Sequence, residues 1–187
     1  MTAAMYNHRG MKLVPFTKDD LTERYQSWFH SPDVTRYNSH GLFPYTKERM
    51  EEFVSSLGRT EIIIWKMMTE KLGHIGNISL QSINWIYRSA EFAIIIGERK
   101  AWGKGWGAKA GELVLYHGFC RLNLNRIWTG TASSNMAMCK LAEHLGMTSE
   151  GFFKEGMFLN GKYTDIESFA ILRSEYNPLR GMTDDES

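Results

Sequence analysis

The sequence predicts a single domain of the α/β class, α+β in its layout. We expect a mixed, mostly antiparallel central sheet with helices on both faces. Three β-rich segments follow one another between residues 61 and 97, as antiparallel strands joined by short turns do. From residue 108 onward helical and β patterns alternate, which indicates a β-α-β unit. A chain of 187 residues is long enough to bury the core of one domain.

Start and stop signals place the elements of the first half. Thr17 and Asp20 form the pattern of a helix capping box, and the predicted helix runs to about residue 29. Thr46 begins a second helix, and Gly58 ends it. The strands predicted in this half cover residues 12–16, 61–68, 72–86 and 89–97.

The second half continues with helices and strands in turn. A helix capped near Ser133 and Ser134 ends at Gly146, where the chain can turn out of the helix. The elements predicted here are a helix at 108–122, a strand at 125–131, a helix at 135–145 and a hairpin of strands 150–159 and 163–172. We expect one domain over residues 1–187, with residues 1–10 and 177–187 flexible.

A glycine-rich loop, Trp102-Gly-Lys-Gly-Trp-Gly107, lies between a buried strand and a helix. Glycine lets backbone N–H groups approach an anion, and a helix N-terminus adds unpaired donors and partial positive charge. A Walker loop is excluded because no Ser or Thr follows Lys104. A dinucleotide fingerprint tolerates Ala108 in its third place, but this loop comes only after half of the chain. A glycine-rich surface turn remains an alternative on the loop alone.

Three motifs in order make the chain similar to the GCN5-related N-acetyltransferase (GNAT) superfamily. That family has Gln/Arg-x-x-Gly-x-Gly/Ala, then a strand, then Asn-x-x-Ala and Leu-Gly-Phe. The matching positions are Trp102-x-x-Gly105-x-Gly107, Asn135 and Leu145-Gly146-Met147. Residues 28–37 and 151–165 resemble the branch of ribosomal-protein N-terminal and spermidine acetyltransferases. The resemblance covers roughly residues 11–176.

The resemblance implies an acyl-CoA N-acyltransferase domain with acetyl-CoA as co-substrate and no metal. It implies a splayed strand pair at the cofactor site, where backbone amides hold the pantetheine arm and the acetyl oxygen. By resemblance those amides belong to Ile95, Ile96 and Gly97, and Asn135 contacts the pantetheine or diphosphate region. The diphosphate loop comprises Gly103, Lys104, Gly105, Trp106, Gly107 and Ala108.

Two positions depart from or complicate the family pattern. Trp102 stands where the family has Gln or Arg, so its indole either covers the cofactor or packs under the loop. Glu91 lies eleven residues earlier, the separation seen in histone acetyltransferases that resemble this loop, and is the candidate general base. Asp165 and Glu167 are weaker alternatives, and a purely structural Glu91 stays open.

The general acid is missing from its usual places. Many relatives have a tyrosine seven residues after the asparagine, and the ribosomal branch can have a serine three residues after it. This chain has Ala142 and Met138 there. The stand-ins are Ser133, Ser134, Cys139 or water. The missing general acid also leaves open the alternative that the protein binds acyl-CoA as a sensor or scaffold without catalysis.

The acceptor pocket is expected between the first helices, their loop and the closing hairpin. Its available side chains are aromatic and polar more than acidic, which favours a small amine such as an aminosugar. These side chains are Trp28, His30, Tyr37, Asn38, His40, Phe43, Tyr45, His74, Trp85 and Tyr163. A protein N-terminus and a polyamine remain alternatives, and relatives of this branch suggest a homodimer.

Charge and apolar content exclude other partners. The formal net charge is +1, so no global field favours nucleic acid or an anionic membrane. No apolar run approaches transmembrane length and the N-terminus lacks a signal-peptide core, so we expect a cytoplasmic protein. Cys120 and Cys139 have neither metal-ligand spacing nor a disulfide framework.

Overall fold

Eight β-strands form one sheet. The structure is a computed structural model and describes residues 3–42, 46–57 and 61–178. The strands are β1 (Tyr6–His8), β2 (Met11–Pro15), β3 (Ile63–Thr69), β4 (Gly73–Asn84), β5 (Ser89–Ile96), β6 (Arg126–Ala132), β7 (Thr148–Leu159) and β8 (Lys162–Leu172). They lie in the order β1-β2-β3-β4-β5-β6-β8-β7. Each neighbouring pair is antiparallel except β5 and β6, which are parallel. The predicted mixed, mostly antiparallel sheet is therefore confirmed.

Within the described ranges, α-helices connect the strands on both sides of the sheet. They are α1 (Glu23–Phe29), α2 (Pro32–Thr35), α3 (Lys47–Ser56), α4 (Trp106–Tyr116) and α5 (Met136–His144). Short 3₁₀ turns lie at Lys18–Asp20, His40–Leu42 and Arg99–Ala101, and a π-helical turn at His117–Arg121 continues α4. None of the helices in the described residues is long and apolar enough to cross a bilayer.

The side chains of β5 alternate between the two helical layers. Ile94 and Ile96 lie beside Gly107 of α4, and Leu141 of α5 is next to the same glycine. Ile95 points to the opposite face and packs against the cluster under α1. This period of two is what a strand buried on both faces requires, and it confirms helices on both faces of the sheet.

Two clusters of buried side chains hold these layers together. The larger lies between the sheet and α4 and α5, with Trp65, Phe92 and Phe119 among its fully buried members. The smaller packs α1 and α3 against the other face, and its members are Phe16, Leu21, Tyr25, Trp28, Phe29 and Met50. The position of α1 matters for the site because this helix covers the end of β5.

The first predicted helix is two pieces, so the prediction of one helix over 17–29 is wrong. The predicted capping box exists: Thr17 N donates to Asp20 Oδ2 over 2.9 Å. Asp20 also pairs with Lys66 on β3, and the box closes only a 3₁₀ turn. Thr22 then caps α1 afresh, accepting from Tyr25 N at 3.2 Å. Two capping side chains five residues apart thus divide the segment.

Two further boundaries differ from the sequence prediction. Residues 6–8, expected within a flexible N-terminus, form β1, whose Tyr6 hydroxyl lies 2.7 Å from His117 Nδ1. The helix predicted at 108–122 already begins at Trp106, because left-handed Gly105 is its N-cap. Phe43, Tyr45 and Gly58 lie outside the described residues, as do residues 179–187.

Candidate functional site

A split in the sheet lies between β5 and β6. Their parallel pairing ends with Glu91 opposite Trp128, although β5 continues to Ile96 and β6 to Ala132. The outer edges of both strands are occupied, because β4 pairs with β5 and β8 pairs with β6. Their inner edges therefore present backbone polar groups to the opening, where a ligand can satisfy them. This is the splayed strand pair that the family resemblance implied.

The backbone of Ile96 faces this split, whereas that of Ile95 faces β4. The Ile95 carbonyl comes so close to Gly76 on β4 that a Cβ there would clash. The Ile96 carbonyl accepts a hydrogen bond from Trp102 Nε1 at 2.8 Å. Because the N–H and C=O of one strand residue point the same way, the Ile96 amide also faces the split. Of these two predicted amide donors, Ile96 has the suitable orientation.

Gly97, the third predicted donor, has a packing role that the sequence did not show. A Cβ at Gly97 would overlap the indole of Trp28, so only glycine allows α1 to lie on the strand end. Glu98 N then donates to Ile75 O at 3.0 Å. Gly97 is buried, and the close contact fixes the distance between α1 and the split.

The glycine loop begins α4 at the wide end of the split. Gly103 and Gly105 have φ values of +69° and +74°, and neither has a heavy atom within 4 Å of an added Cβ. Both face open space in the left-handed conformation that glycine favours. The first N–H groups of α4 have no intrahelical acceptors, which is the geometry expected of the predicted anion site. Lys104 is exposed beside them.

Gly107, Trp106 and Ala108 belong to the first turn of α4, not to a free loop. A Cβ on Gly107 would lie 3.4 Å from Leu141 Cδ2, an ordinary contact, and it would point into the protein. Lys109 Nζ lies 4.3 Å from the centre of the Trp106 ring and donates to Arg9 O at 3.1 Å. These side chains anchor the helix start rather than line the anion site.

Trp102 lies on the cofactor loop in a half-exposed position. Its Nε1 donates a hydrogen bond to Ile96 O, and the Arg99 guanidinium lies over its ring, 5.7 Å from the ring centre. The indole is 40% exposed, so it borders the split and is not packed under the loop.

Asn135 caps α5 next to the split. Its Oδ1 accepts from Met138 N at 3.4 Å, and its Nδ2 donates to Thr131 Oγ1 on β6 at 3.0 Å. The helix cap is therefore real, and the amide bridges the end of β6 to α5. A role toward the pantetheine arm stays a prediction.

Comparisons with known proteins agree with this geometry. A family model described as the acetyltransferase (GNAT) domain matches residues 11–148. The chain belongs to the GNAT acetyltransferase family. The sequence-based assignment is thereby confirmed.

Relatives and solved structures extend the match. Spermidine N(1)-acetyltransferase of Vibrio cholerae is 39% identical over 102 residues, which cover 54% of this chain and 58% of that protein. The chain thus spans little more than half the length of that relative in the alignment. The N-acetyltransferase p20 of Bacillus licheniformis is 28% identical over 159 residues, covering 80% and 85% of the two chains.

The fold matches over a longer stretch than the sequence. A crystal structure of the Vibrio cholerae spermidine N-acetyltransferase in complex with CoA and spermine has a TM-score of 0.80 and 27% identity, covering 89% of this chain and 97% of that one. A dodecameric structure of the same enzyme has a TM-score of 0.76 at 28% identity, with coverage of 89% and 96%. The fold and the expected co-substrate acetyl-CoA agree with these neighbours.

In this GNAT domain Glu91 stands at the narrow end of the split. It is the last β5 residue paired with β6, and its side chain lies on the face that also carries Ile95 and α1. Ser82, in a bulge of β4, places its Oγ 3.5 Å from Glu91 Oε2. The carboxylate is partly exposed, so water can reach it.

The two alternative bases are held by other groups. Asp165 Oδ1 accepts from Glu155 N at 2.7 Å and fixes the bulge of β7. Glu167 Oε2 lies 3.8 Å from Cys139 Sγ on α5. Like Glu91, which contacts Ser82, both carboxylates have structural contacts; Glu91 stays the candidate because it ends the β5–β6 pairing at the split.

The usual acid positions offer no proton. Ala142 is fully buried, and Met138 carries a thioether. Burial, with a smaller contribution from nearby Glu167, raises the pKa of the Cys139 thiol, so it stays protonated at neutral pH. Its Sγ points to Glu167 on β8, which directs it away from β5. The structure therefore leaves water or a serine of the β6–α5 turn to protonate a leaving thiolate.

A cavity of about 430 Å³ lies between the α1–α2 segment and the tip of the β7–β8 hairpin, and none of its described lining residues belongs to β5, β6 or the glycine loop. One wall comes from α1, α2 and the loop after them, which pack on the β5 side; the other comes from the tip of the β7–β8 hairpin, beyond β6. We call it the cross-split pocket. Its lining residues are Phe29, His30, Pro32, Thr35, Arg36, Asn38, Leu42, Phe158, Leu159, Asn160 and Gly161.

The cross-split pocket contains part of the predicted acceptor set. His30 and Asn38 line it, whereas Tyr37, His40 and Tyr163 lie close in sequence to its walls. The sequence predicted the hairpin as a wall of this pocket, and both walls fall in segments that carry the family resemblance. The individual lining side chains that it did not single out are Phe29, Pro32, Thr35, Arg36, Leu42 and residues 158–161.

Three other predicted residues lie elsewhere. Trp28 is buried under Gly97, and Trp85 lies in the exposed β4–β5 turn at the far end of the strands. His74 is stacked on Tyr25 with ring centres 5.9 Å apart and has both Asn77 Oδ1 and Gly76 O within 3.1 Å of its Nε2. Burial lowers the pKa of His74, so a neutral ring that donates from Nε2 fits this site. Trp28 is thus a core residue, half-buried His74 lines a second cavity with Tyr25 and Lys66, and Trp85 is exposed, so none of the three lines the cross-split pocket.

Within the described ranges, His, Cys, Asp and Glu side chains form no group of three or more that could hold a metal ion.

Proposed function

We propose that this GNAT domain transfers the acetyl group of acetyl-CoA to the primary amine of a small molecule such as an aminosugar. The observation that carries the proposal is the split between β5 and β6, with an anion-binding helix start at its wide end and a cavity between the α1–α2 segment and the hairpin tip. Such a split can hold a thioester between two strands while an amine approaches from the second face.

The glycine loop and the split would each bind a different part of acetyl-CoA. The backbone N–H groups of Gly103 to Ala108 would hold the diphosphate at the start of α4. The pantetheine arm would run along β5, where the Ile96 amide faces the opening. Asn135 stands on the opposite side of the split, at the end of β6.

The reaction needs a neutral amine, a polarised carbonyl and a leaving thiolate. The amine nitrogen attacks the thioester carbon, so a C–N bond forms as the C–S bond breaks. The nitrogen loses one proton, which Glu91 would accept directly or through water. The sulfur leaves as the thiolate of CoA and takes up a proton from water. A backbone amide facing the carbonyl oxygen stabilises the negative charge that develops there.

A polyamine acceptor is the second candidate. Spermidine acetyltransferases are among the relatives, and a solved neighbour holds spermine with CoA. Protein N-terminal acetylation fits less well, because the acceptor cavity is bounded on two sides by α2 and the hairpin tip.

We also infer that the chain forms a homodimer through β7. This edge strand exposes Phe152 and Phe153 at 59% and 63%, and Tyr163 of β8 at 68%. Apolar side chains on an unpaired edge strand are costly in water, and a second copy would cover them. The dodecameric neighbour supports self-association in this family.

A panel of amines tests the proposal directly. Purified protein is incubated with acetyl-CoA and glucosamine, spermidine or a tripeptide with a free N-terminus, and products are measured by mass alongside free-thiol release. We expect acetylated glucosamine and one thiol per product. Binding of acetyl-CoA without turnover of any amine would instead favour the acyl-CoA sensor or scaffold. Acetylation of the tripeptide alone would shift the assignment to protein N-termini.

A further inference from the structure

The polar side chains of the cross-split pocket are not equally available to a ligand. Thr35 Oγ1 donates to Ser31 O at 3.0 Å, and Asn38 Oδ1 accepts from His40 N at 3.0 Å. Both therefore shape the loop after α1. The lining side chains that can turn to a ligand are His30, Arg36 and Asn160.

The side chains that line the cross-split pocket carry a net positive charge. Among the described lining residues there is no carboxylate, and Arg36 contributes a permanent positive charge. Outside the lining, Asp33 Oδ1 lies 3.4 Å from Arg36 Nη2, and Asp33 Oδ2 lies only 2.7 Å from Arg99 Nη1. One carboxylate is thus shared between two guanidinium groups, and Arg36 keeps donors for a further anion.

This charge does not suit a polyamine. A polycation in the pocket would meet Arg36 without a carboxylate of the pocket wall to pair its ammonium groups, and like charges within the site disfavour binding. An acceptor with a negative group would instead place that group against the Arg36 fork. Its amine would then be free to point toward the split.

We propose that the acceptor of this enzyme carries a carboxylate or phosphate beside its amine and that Arg36 anchors this anion. The inference rests on the proposed acetyl transfer and specifies its substrate class. Arg36 acts in substrate binding, so its effect should fall on KM more than on kcat. His30 and Asn160 line the remaining wall around the anion.

Matched acceptors isolate the anion. Glucosamine 6-phosphate and glucosamine differ by a phosphate, and lysine and cadaverine differ by a carboxylate; spermidine adds the polycation. We expect kcat/KM to be at least about tenfold higher for the anionic member of a pair, as a charge-assisted hydrogen bond provides. A larger ratio in the glucosamine pair would indicate a phosphate on the acceptor, and a larger ratio in the lysine pair would indicate a carboxylate.

Variants of Arg36 assign the effect to this side chain. Arg36→Glu and the milder Arg36→Gln should each raise KM for the preferred anionic acceptor by roughly ten- to a hundredfold, with kcat nearly unchanged. Arg36→Glu should also improve spermidine relative to wild type. Arg121→Glu is the matched control, because this exposed arginine lies at the end of α4 opposite the glycine loop. Its KM values should equal those of wild type.

Different failures lead to different conclusions. Equal kcat/KM within both pairs, or spermidine as the best wild-type acceptor, overturns the anion site and leaves acetyl transfer intact. Loss of activity toward all acceptors in both folded Arg36 variants overturns the selective role as well. Acetyl-CoA that is bound and never consumed with any acceptor overturns the proposed function, and this inference with it.

Discussion

At the scale of single residues, Glu91 and Trp102 show how much depends on neighbours distant in sequence. The position of Glu91 before the loop suggested a base, but only the end of the β5–β6 pairing places it at the narrow end of the split. Trp102 breaks the family pattern, yet its indole N–H reaches the Ile96 carbonyl on the split. Its role follows from that contact and could not be read from the substitution.

Glu91→Gln tests the base. We expect nearly unchanged acetyl-CoA affinity and a fall in kcat of about 10²-fold, the usual order for loss of a general base. The loss should shrink at high pH, where more of the acceptor amine is already neutral. Steady-state rates across pH measure both effects, with Ser82→Ala as the control for the hydrogen bond alone. A full-rate Glu91→Gln enzyme would leave this residue a structural role.

Buried His117 makes stability depend on pH. Burial, with a smaller effect of Arg121, lowers the pKa of His117 to about 4, while an unfolded histidine titrates near 6.5. Between these values the unfolded chain binds more protons, so stability falls as pH drops through this range. Between pH 7 and 4.5 the loss should be about 2 kcal/mol. Urea unfolding at pH 7 and 4.5 should show it.

His117→Gln provides the comparison for that measurement. Gln does not titrate but can still accept from the Tyr6 hydroxyl, which lies 2.7 Å from Nδ1. Its stability should therefore depend less on pH than that of wild type, even if its stability at pH 7 is lower. The same slope in both proteins would mean that other groups cause the acid loss.

At the scale of elements, the central strands and α5 were predictable because their signals are local. An apolar run and a terminal glycine define β5 and α5 within two residues of their actual bounds, although the N-cap of α5 is Asn135 and not Ser133 or Ser134 as predicted. The break at Thr22 and the strand β1 were not predictable. The break comes from a second cap at Thr22, and Asp20 of the first cap also pairs with distant Lys66; β1 is held by the contact of Tyr6 with His117.

For the site, too, the parts with local sequence signals were predictable and the parts that depend on distant contacts were not. The glycine loop was predictable from its spacing, since its function depends on backbone conformation. The walls of the cross-split pocket were predictable, as the first helices, their loop and the closing hairpin, but the side chains that face the cavity, such as Arg36, were not, because that depends on how distant segments pack. The orientation of the Ile96 amide required the sheet pairing.

The contact between α1 and β5 makes a prediction at this scale. Gly97→Ala would place a Cβ inside the Trp28 indole, so α1 must move from the strand end. We expect a loss of about 3 kcal/mol in the free energy of unfolding, at the high end for overpacking. Gly107→Ala is the matched control, because its Cβ meets ordinary contacts at 3.4 Å or more. Equal stabilities for the two variants in urea would refute the packing argument.

At the scale of the whole molecule, β7 should make the dimer. Phe152→Asp combined with Phe153→Lys replaces the two exposed aromatic side chains of the edge strand with one negative and one positive side chain. Light scattering after size exclusion should show wild type at twice the chain mass of 21.6 kDa and the variant as a monomer. A wild-type monomer, or a variant that still pairs, would contradict an interface at β7.

Binding of acetyl-CoA at the glycine loop beside the split is the central claim about the whole molecule. Calorimetric titration of wild type, Gly105→Val and Trp102→Arg with acetyl-CoA tests it most directly. Valine at φ +74° strains the loop and adds a side chain where the diphosphate would lie, so binding should be abolished. Trp102→Arg should bind within a few-fold of wild type. Equal affinity in folded Gly105→Val, or no binding by wild type, would contradict the account.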